Sequence, residues 1–260
     1  MTTQISVCLE VGSGGVGAFV PVCPGCWVFG RTTDSRSNSL YGASIRSLCC
    51  NAALCVWGAG QWTEGNAGVD PTQILINEGK FKMQGMASAG GAVTYGRADG
   101  WGYFGIPYVT ATQSRTIRAY SMVAYDGIIR QYAILWWSGW ASAHIWIYET
   151  IRVYDTSNWQ IVASNTVTVY DDGVQSGWPW QRIEKSKRFY PDRDMWEVSV
   201  SFPATAGRQY AIEVFVECQC AANGAGLAQS QSAYNFLGPT QQDPSIQGFV
   251  YVKWIEWYYA

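Results

Sequence analysis

Ala141-Ser-Ala-His-Ile-Trp-Ile-Tyr-Glu-Thr-Ile-Arg-Val-Tyr154 is the stretch that decides the fold. Its odd positions Ala141, Ala143, Ile145, Ile147, Ile151 and Val153 are small or aliphatic, with Glu149 the exception. The even positions carry Ser142, His144, Trp146, Tyr148, Thr150, Arg152 and Tyr154. Successive side chains of a strand leave on opposite faces, so the spacing predicts one aliphatic face and one aromatic-polar face. Residues 131–148 match a membrane helix in length. They include Gln131, Ser138, Ser142 and His144 and alternate with period two, which predicts a strand instead.

The pattern recurs downstream. Val167 and Val169 alternate with Thr166, Thr168 and Tyr170, and the run ends at the turn signal Asp171-Asp172-Gly173. Trp196, Val198, Val200 and Phe202 form one face of a second run, and Tyr210, Ile212, Val214, Val216, Cys218 and Cys220 that of a third. The tail from Phe249 to Tyr259 is apolar or aromatic on both faces, as in a strand covered on both sides. No segment holds a helical apolar period beyond two turns. The prediction is an all-β, antiparallel β-sandwich of jelly-roll-like type. Composition shifts near residue 110. Residues 1–110 hold most glycines and six of the eight cysteines and read as a loop-dominated Gly/Cys-rich segment, an extension or part of the same domain, before a sandwich domain over 111–260.

Charge is scarce. Asp, Glu, Lys and Arg make up 14% of the 260 residues and aromatics 15%, against roughly 25% charged residues in an ordinary soluble domain. Either other chains cover the surface, or amides, hydroxyls and ring edges wet it. A net charge of −2 without clustered Lys and Arg argues against a nucleic-acid partner. The basic run Lys185, Lys187 and Arg188 sits among Glu184, Asp192 and Asp194 and reads as a solvated loop. Positions 1–15 hold no Lys or Arg, so no secretory signal is visible and no membrane span is expected; an extracellular or virion-surface location is nonetheless favoured.

Groups for catalysis are few. His144 is the only imidazole, on the aromatic face of its strand, where it reads as a structural residue or a ligand contact. Glu213 and Glu217 share a strand face about 13 Å apart, too far for a glycosidase pair. The expectation is a non-enzyme without a cofactor. Gly12-x-Gly14-x-x-Gly17 matches a dinucleotide fingerprint in spacing but lacks the following helix. Cys23 and Cys26 have the spacing of half a zinc site, with Cys50 and Cys55 as weak partners. Alternatively, Cys8, Cys23, Cys26, Cys49, Cys50 and Cys55 staple the Gly-rich segment with disulfides, or remain buried thiols. Asp171-Asp172 and Asp192-Arg-Asp194 could offer oxygen ligands to calcium, although turn chemistry accounts for them.

Aromatic placement is the main interaction signal. Trp178 and Trp180 flank Pro179 ahead of Arg182; Trp101 and Tyr103 sit in Gly100-Trp-Gly-Tyr-Phe-Gly105; Trp136 and Trp140 bracket a Trp-Ser-Gly; Trp146 and Tyr148 share a strand face. The three Gly- or Pro-flanked groups read as loops. Such rings fold back on the core or present an apolar plate with a hydrogen-bonding edge. Two functions follow. One is a structural subunit of a self-associating assembly such as a virion, tail spike or surface filament. The alternative is a lectin-like module that binds a glycan or surface receptor through loop tryptophans, with Arg182 or Asp99 as hydrogen-bonding partners.

Overall fold

The computed structural model describes residues 8–12, 15–19, 56–75, 78–91, 95–241 and 243–260, and over these the chain forms strands, turns and no α-helix. The strands are β1 (Cys8–Gly12), β2 (Gly15–Phe19), β3 (Val56–Gly65), β4 (Ala67–Leu75), β5 (Lys80–Gly90) and β6 (Tyr95–Thr110). They continue with β7 (Thr116–Asp155), β8 (Gln160–Ser176), β9 (Gln181–Phe189), β10 (Met195–Pro203), β11 (Gln209–Asn235) and β12 (Phe249–Tyr259). Strands β1 and β2 pair with each other, and the other ten form one antiparallel sheet.

That sheet is folded in half. Its first layer runs β3, β6, β11 (209–225), β7 (139–155) and β8; its second runs β4, β5, β11 (228–235), β7 (127–135) and β9, the same order. Strands β10 and β12 extend the second layer along residues 116–126 of β7. Strands β7 and β11 turn the corner together, where their register shifts between Gly226 and Ala228. Three residues of β7, 136–138, thus oppose Leu227 alone, a bulge that bends both strands. Gly139 (φ 115) and Gly226 (φ 75) sit inside this corner, and a Cβ on Gly139 would run into the Ala225 carbonyl oxygen.

Polar contacts between the layers confirm the doubling back. The Ser230 hydroxyl donates to the Asn223 carbonyl at 2.7 Å, and Ser232 donates to Ala221 at 2.7 Å. The core between them includes Phe81, Met83, Phe104, Ile129, Ile145, Ile147, Ile151, Val214, Val216, Tyr234 and Val252. The aliphatic face predicted for residues 141–153 is buried here. Glu149, the exception in that pattern, is fully buried and accepts a hydrogen bond from the Tyr125 hydroxyl at 2.9 Å. Cys218 and Cys220 are buried free thiols, as their strand face implied.

Four loop or turn expectations are corrected, two of them simply: Asp171-Asp172-Gly173 runs on inside β8, and Lys185, Lys187 and Arg188 lie in β9. Gly100–Gly105 is an interior part of β6, where Gly100, Gly102 and the buried Phe104 alternate with Trp101 and Tyr103. Gly100 and Gly102 face the core because Tyr234 and Phe81 occupy the space a Cβ would take. Residues 136–140 are the corner bulge of one 40-residue strand rather than a loop between two. Residues 56–110 supply four strands of the large sheet. The zinc and disulfide expectations at Cys23, Cys26, Cys49, Cys50 and Cys55 lie outside the described residues, and so does the side chain of Cys8.

Candidate functional site

The outward face of the first layer gathers aromatic and polar side chains from five strands, in rows set by register. One row reads Trp62, Asp99, Gln219, Trp146 and Asp171. The next reads Gly60, Trp101, Glu217, Tyr148 and Thr168, and the third Gly58, Tyr103, Phe215, Thr150 and Thr166. Neighbouring strands are about 4.8 Å apart, so the β6 and β7 aromatics flank the β11 positions across about 10 Å.

Glycine on the edge strand decides how the β6 rings lie. A Cβ on Gly60 would overlap Cζ2 of Trp101, and one on Gly58 would come within 2.5 Å of Cε1 of Tyr103. The half-buried Trp101 and Tyr103 therefore rest over a strand with no side chains at those two positions. Trp101 is near parallel to Tyr103 (6.4 Å between centroids, 13°) and to Phe215 (5.6 Å, 28°). Trp101 thus stacks with both of the other rings. The Arg152 guanidinium stacks 4.4 Å from the centroid of Phe215.

Hydrogen-bonding groups border the ring cluster and hold one another in place. Arg97 donates through Nε to Asp99 Oδ1 at 3.2 Å and through Nη2 to Gln219 Oε1 at 3.2 Å. Arg152 donates to Glu213 Oε1 at 3.1 Å, which the Tyr154 hydroxyl also reaches at 3.3 Å. Burial pushes the Asp99 and Glu213 carboxyls up, against the pull of Arg97 and Arg152 respectively. The hydrogen bond to Asp99 pushes the Arg97 guanidinium up. At the corner end, His144 Nε2 lies 2.6 Å from Asp171 Oδ1, and its ring stacks on Trp146 at 4.2 Å. An open depression of ≈ 490 Å³ lies there, lined by Ser142, His144, Trp146, Gln175 and Asn223 among others. At the far end, Tyr103, Tyr154, Trp159 and Glu213 line a hollow of ≈ 160 Å³.

Four of the aromatic residues singled out from sequence, Trp101, Tyr103, Trp146 and Tyr148, thus share this face. Trp136 and Trp140 lie instead on the corner of the folded sheet, and Trp178 and Trp180 in the turn from β8 to β9 beside it. Arg182 is on β9 in the second layer, paired with Glu184 at 2.8 Å, and takes no part in the face. Arg97, Gln219 and Phe215 join the face unannounced by sequence, beside Arg152, which the alternation of residues 141–154 had already placed on it. Their only signal was period-two alternation along β6, β7 and β11. Neither aspartate cluster groups as ligands: Asp172 pairs with Lys185 at 2.8 Å, and Asp194 accepts from the Tyr190 backbone N–H at 2.7 Å. Among the described residues, no three His, Cys, Asp or Glu side chains come together as a metal site.

No family model and no curated protein matches this chain. Among solved structures, it is similar to a mannan-recognising carbohydrate-binding module at 13% identity, over 78% of this chain and 88% of that one, with a TM-score of 0.22. It is also similar to a carbohydrate-binding module of Cellvibrio mixtus lichenase 5A solved with cellotriose (11% identity, 64% and 91% covered, TM-score 0.20). A third likeness is to the enzymatically active domain of tailspike protein 4 of bacteriophage CBA120 (11% identity, 69% of this chain, TM-score 0.20); the match spans 19% of that chain. At these scores the likenesses carry no inference, and the sandwich assignment rests on the strand pairing above.

Proposed function

We propose that this protein is a non-enzymatic, lectin-like module that binds carbohydrate on the outer face of its first layer. The observation that carries the reading is the Trp101–Tyr103–Phe215 ring cluster, with Trp101 and Tyr103 set over Gly60 and Gly58, edged by Asp99, Arg97, Glu217 and Gln219. A sugar offers an apolar face of C–H groups and a rim of hydroxyls that both donate and accept. A flat ring system takes the first, and a carboxylate, a guanidinium and an amide take the second. Because Arg97 holds Asp99 and Gln219 in place, little side-chain freedom is lost on binding.

The test is a glycan array followed by calorimetry on the best ligand, with wild type and Trp101→Ala. Withdrawing about 100 Å² of ring surface from a sugar face removes about 2.5 kcal/mol, or about 70-fold in affinity. A wild type that binds nothing on a broad array, or a Trp101→Ala protein that binds as well as wild type, would sink this reading.

A further inference from the structure

The corner of the folded sheet carries a second, separate surface. Trp136, Trp137 and Trp140 project from the β7 bulge, Leu227 from the β11 corner opposite, and Trp178 and Trp180 from the adjoining turn. All six are exposed, from 43% at Trp136 to 75% at Trp178. They form one patch: the Trp137 and Trp180 rings meet edge to face at 6.3 Å. Trp180 also holds a φ of 63°, a left-handed conformation that bulky residues rarely adopt. The turn that fixes it is closed by the Gln181 N–H donating to the Trp178 carbonyl at 3.2 Å and the Ser176 hydroxyl donating to the Gln181 carbonyl at 3.2 Å. The indole is thus held outward in a constrained turn.

The chemistry of this crest differs from that of the flat face. Segments 136–140, 177–181 and 225–229 contain no charged residue. The nearest charges along β9, Arg182 and Glu184, are paired with each other at 2.8 Å, so the crest offers no free charge to an acidic or basic partner. Its large side chains are chiefly indoles, which pair an apolar body with an N–H and concentrate where hydrocarbon meets headgroups. It is also convex, the outside of a bend. A second copy of the same ridge would touch it only along a line, whereas a lipid surface yields around it.

We propose that the crest docks the protein peripherally on a zwitterionic lipid interface, with the indoles at headgroup depth. No membrane crossing is involved, and among the described residues no helix is long and apolar enough to make one. With no basic groups in the crest, the attraction is insensitive to salt and needs no anionic lipid.

Flotation of the full chain with phosphatidylcholine vesicles tests this. Trp137→Ser and Trp178→Ser are exposed positions whose loss leaves the core intact, and each should lower the vesicle partition coefficient by about tenfold. Tyr108→Ser, an exposed aromatic at the opposite end of the sandwich, should bind like wild type. Raising the salt should change nothing. The proposal is overturned if wild type fails to float, or if all three variants float like it. It is also overturned if flotation requires anionic lipid, or if the crest variants instead dissolve a dimer seen by sedimentation velocity, since that would make the occupant a second copy.

Discussion

The buried carboxyl of Glu149 makes the stability of this protein depend on pH in a way one substitution should erase. Its Oε1 accepts from Tyr125, and its Oε2 has no partner among the surrounding protein atoms. Desolvation is the main cause that pushes its pKa from 4.5 to about 8, with the Tyr125 hydrogen bond pulling weakly the other way. Well below pH 4.5 the group is protonated in both folded and unfolded chains and adds no pH dependence. Between 4.5 and 8 the folded state binds the extra proton, so stability falls by up to about 1.4 kcal/mol per pH unit. Integrated from pH 5 to pH 8 the loss is about 3–4 kcal/mol; above pH 8 it levels off. Asp99 and Glu213, also pushed up, add to the slope, while Asp155, Asp172 and Asp243, held low, oppose it at more acidic pH. Glu149→Gln keeps the volume and the acceptor for Tyr125 but does not titrate. Urea unfolding of both proteins at several pH values between 5 and 8 isolates the contribution as their difference. Wild type should lose about 3–4 kcal/mol more than the variant over that range. Parallel curves would refute the argument and place the carboxylate in contact with water.

Three further outcomes follow from the packing. Gly60→Val should lift Trp101 from its seat and weaken glycan binding nearly as much as Trp101→Ala does, with every aromatic residue retained; calorimetry on the array ligand checks it. Arg188, which lies 2.6 Å from the buried Asp126 and 3.1 Å from Asp243, should cost about 3–5 kcal/mol when changed to Ala, measured by urea unfolding, because the buried Asp126 carboxyl would lose its ion-pair partner. Burial pushes the Cys218 thiol up and that of Cys220 up to about 12, so both should resist alkylation in the native protein and react in denaturant, as peptide mass mapping would read.

The strands were legible because burial of one face imposes its period on the sequence. Residues 141–154, 196–202 and 210–220 alternate as their burial requires, and even Glu149 stood out as an intruder on an apolar face. Gly100–Gly105 misled because glycine reads as a loop residue. Here it is small for a packing reason, the approach of Phe81 and Tyr234 from other strands, which no local window contains. Trp101, Glu217 and Tyr148 become neighbours only through register among β6, β11 and β7, across more than a hundred residues of chain.

Local chemistry along the chain determined the all-β class, the faces of the strands and the supply of rings and amides for contact. Tertiary structure alone decided that the sheet doubles over at Gly139 and Gly226. That bend places one group of tryptophans on a flat polar face and another on an uncharged crest. The reason is that alternation records which side of a strand is buried, while the partner that buries it, and the place where the strand bends, depend on contacts between residues far apart in sequence.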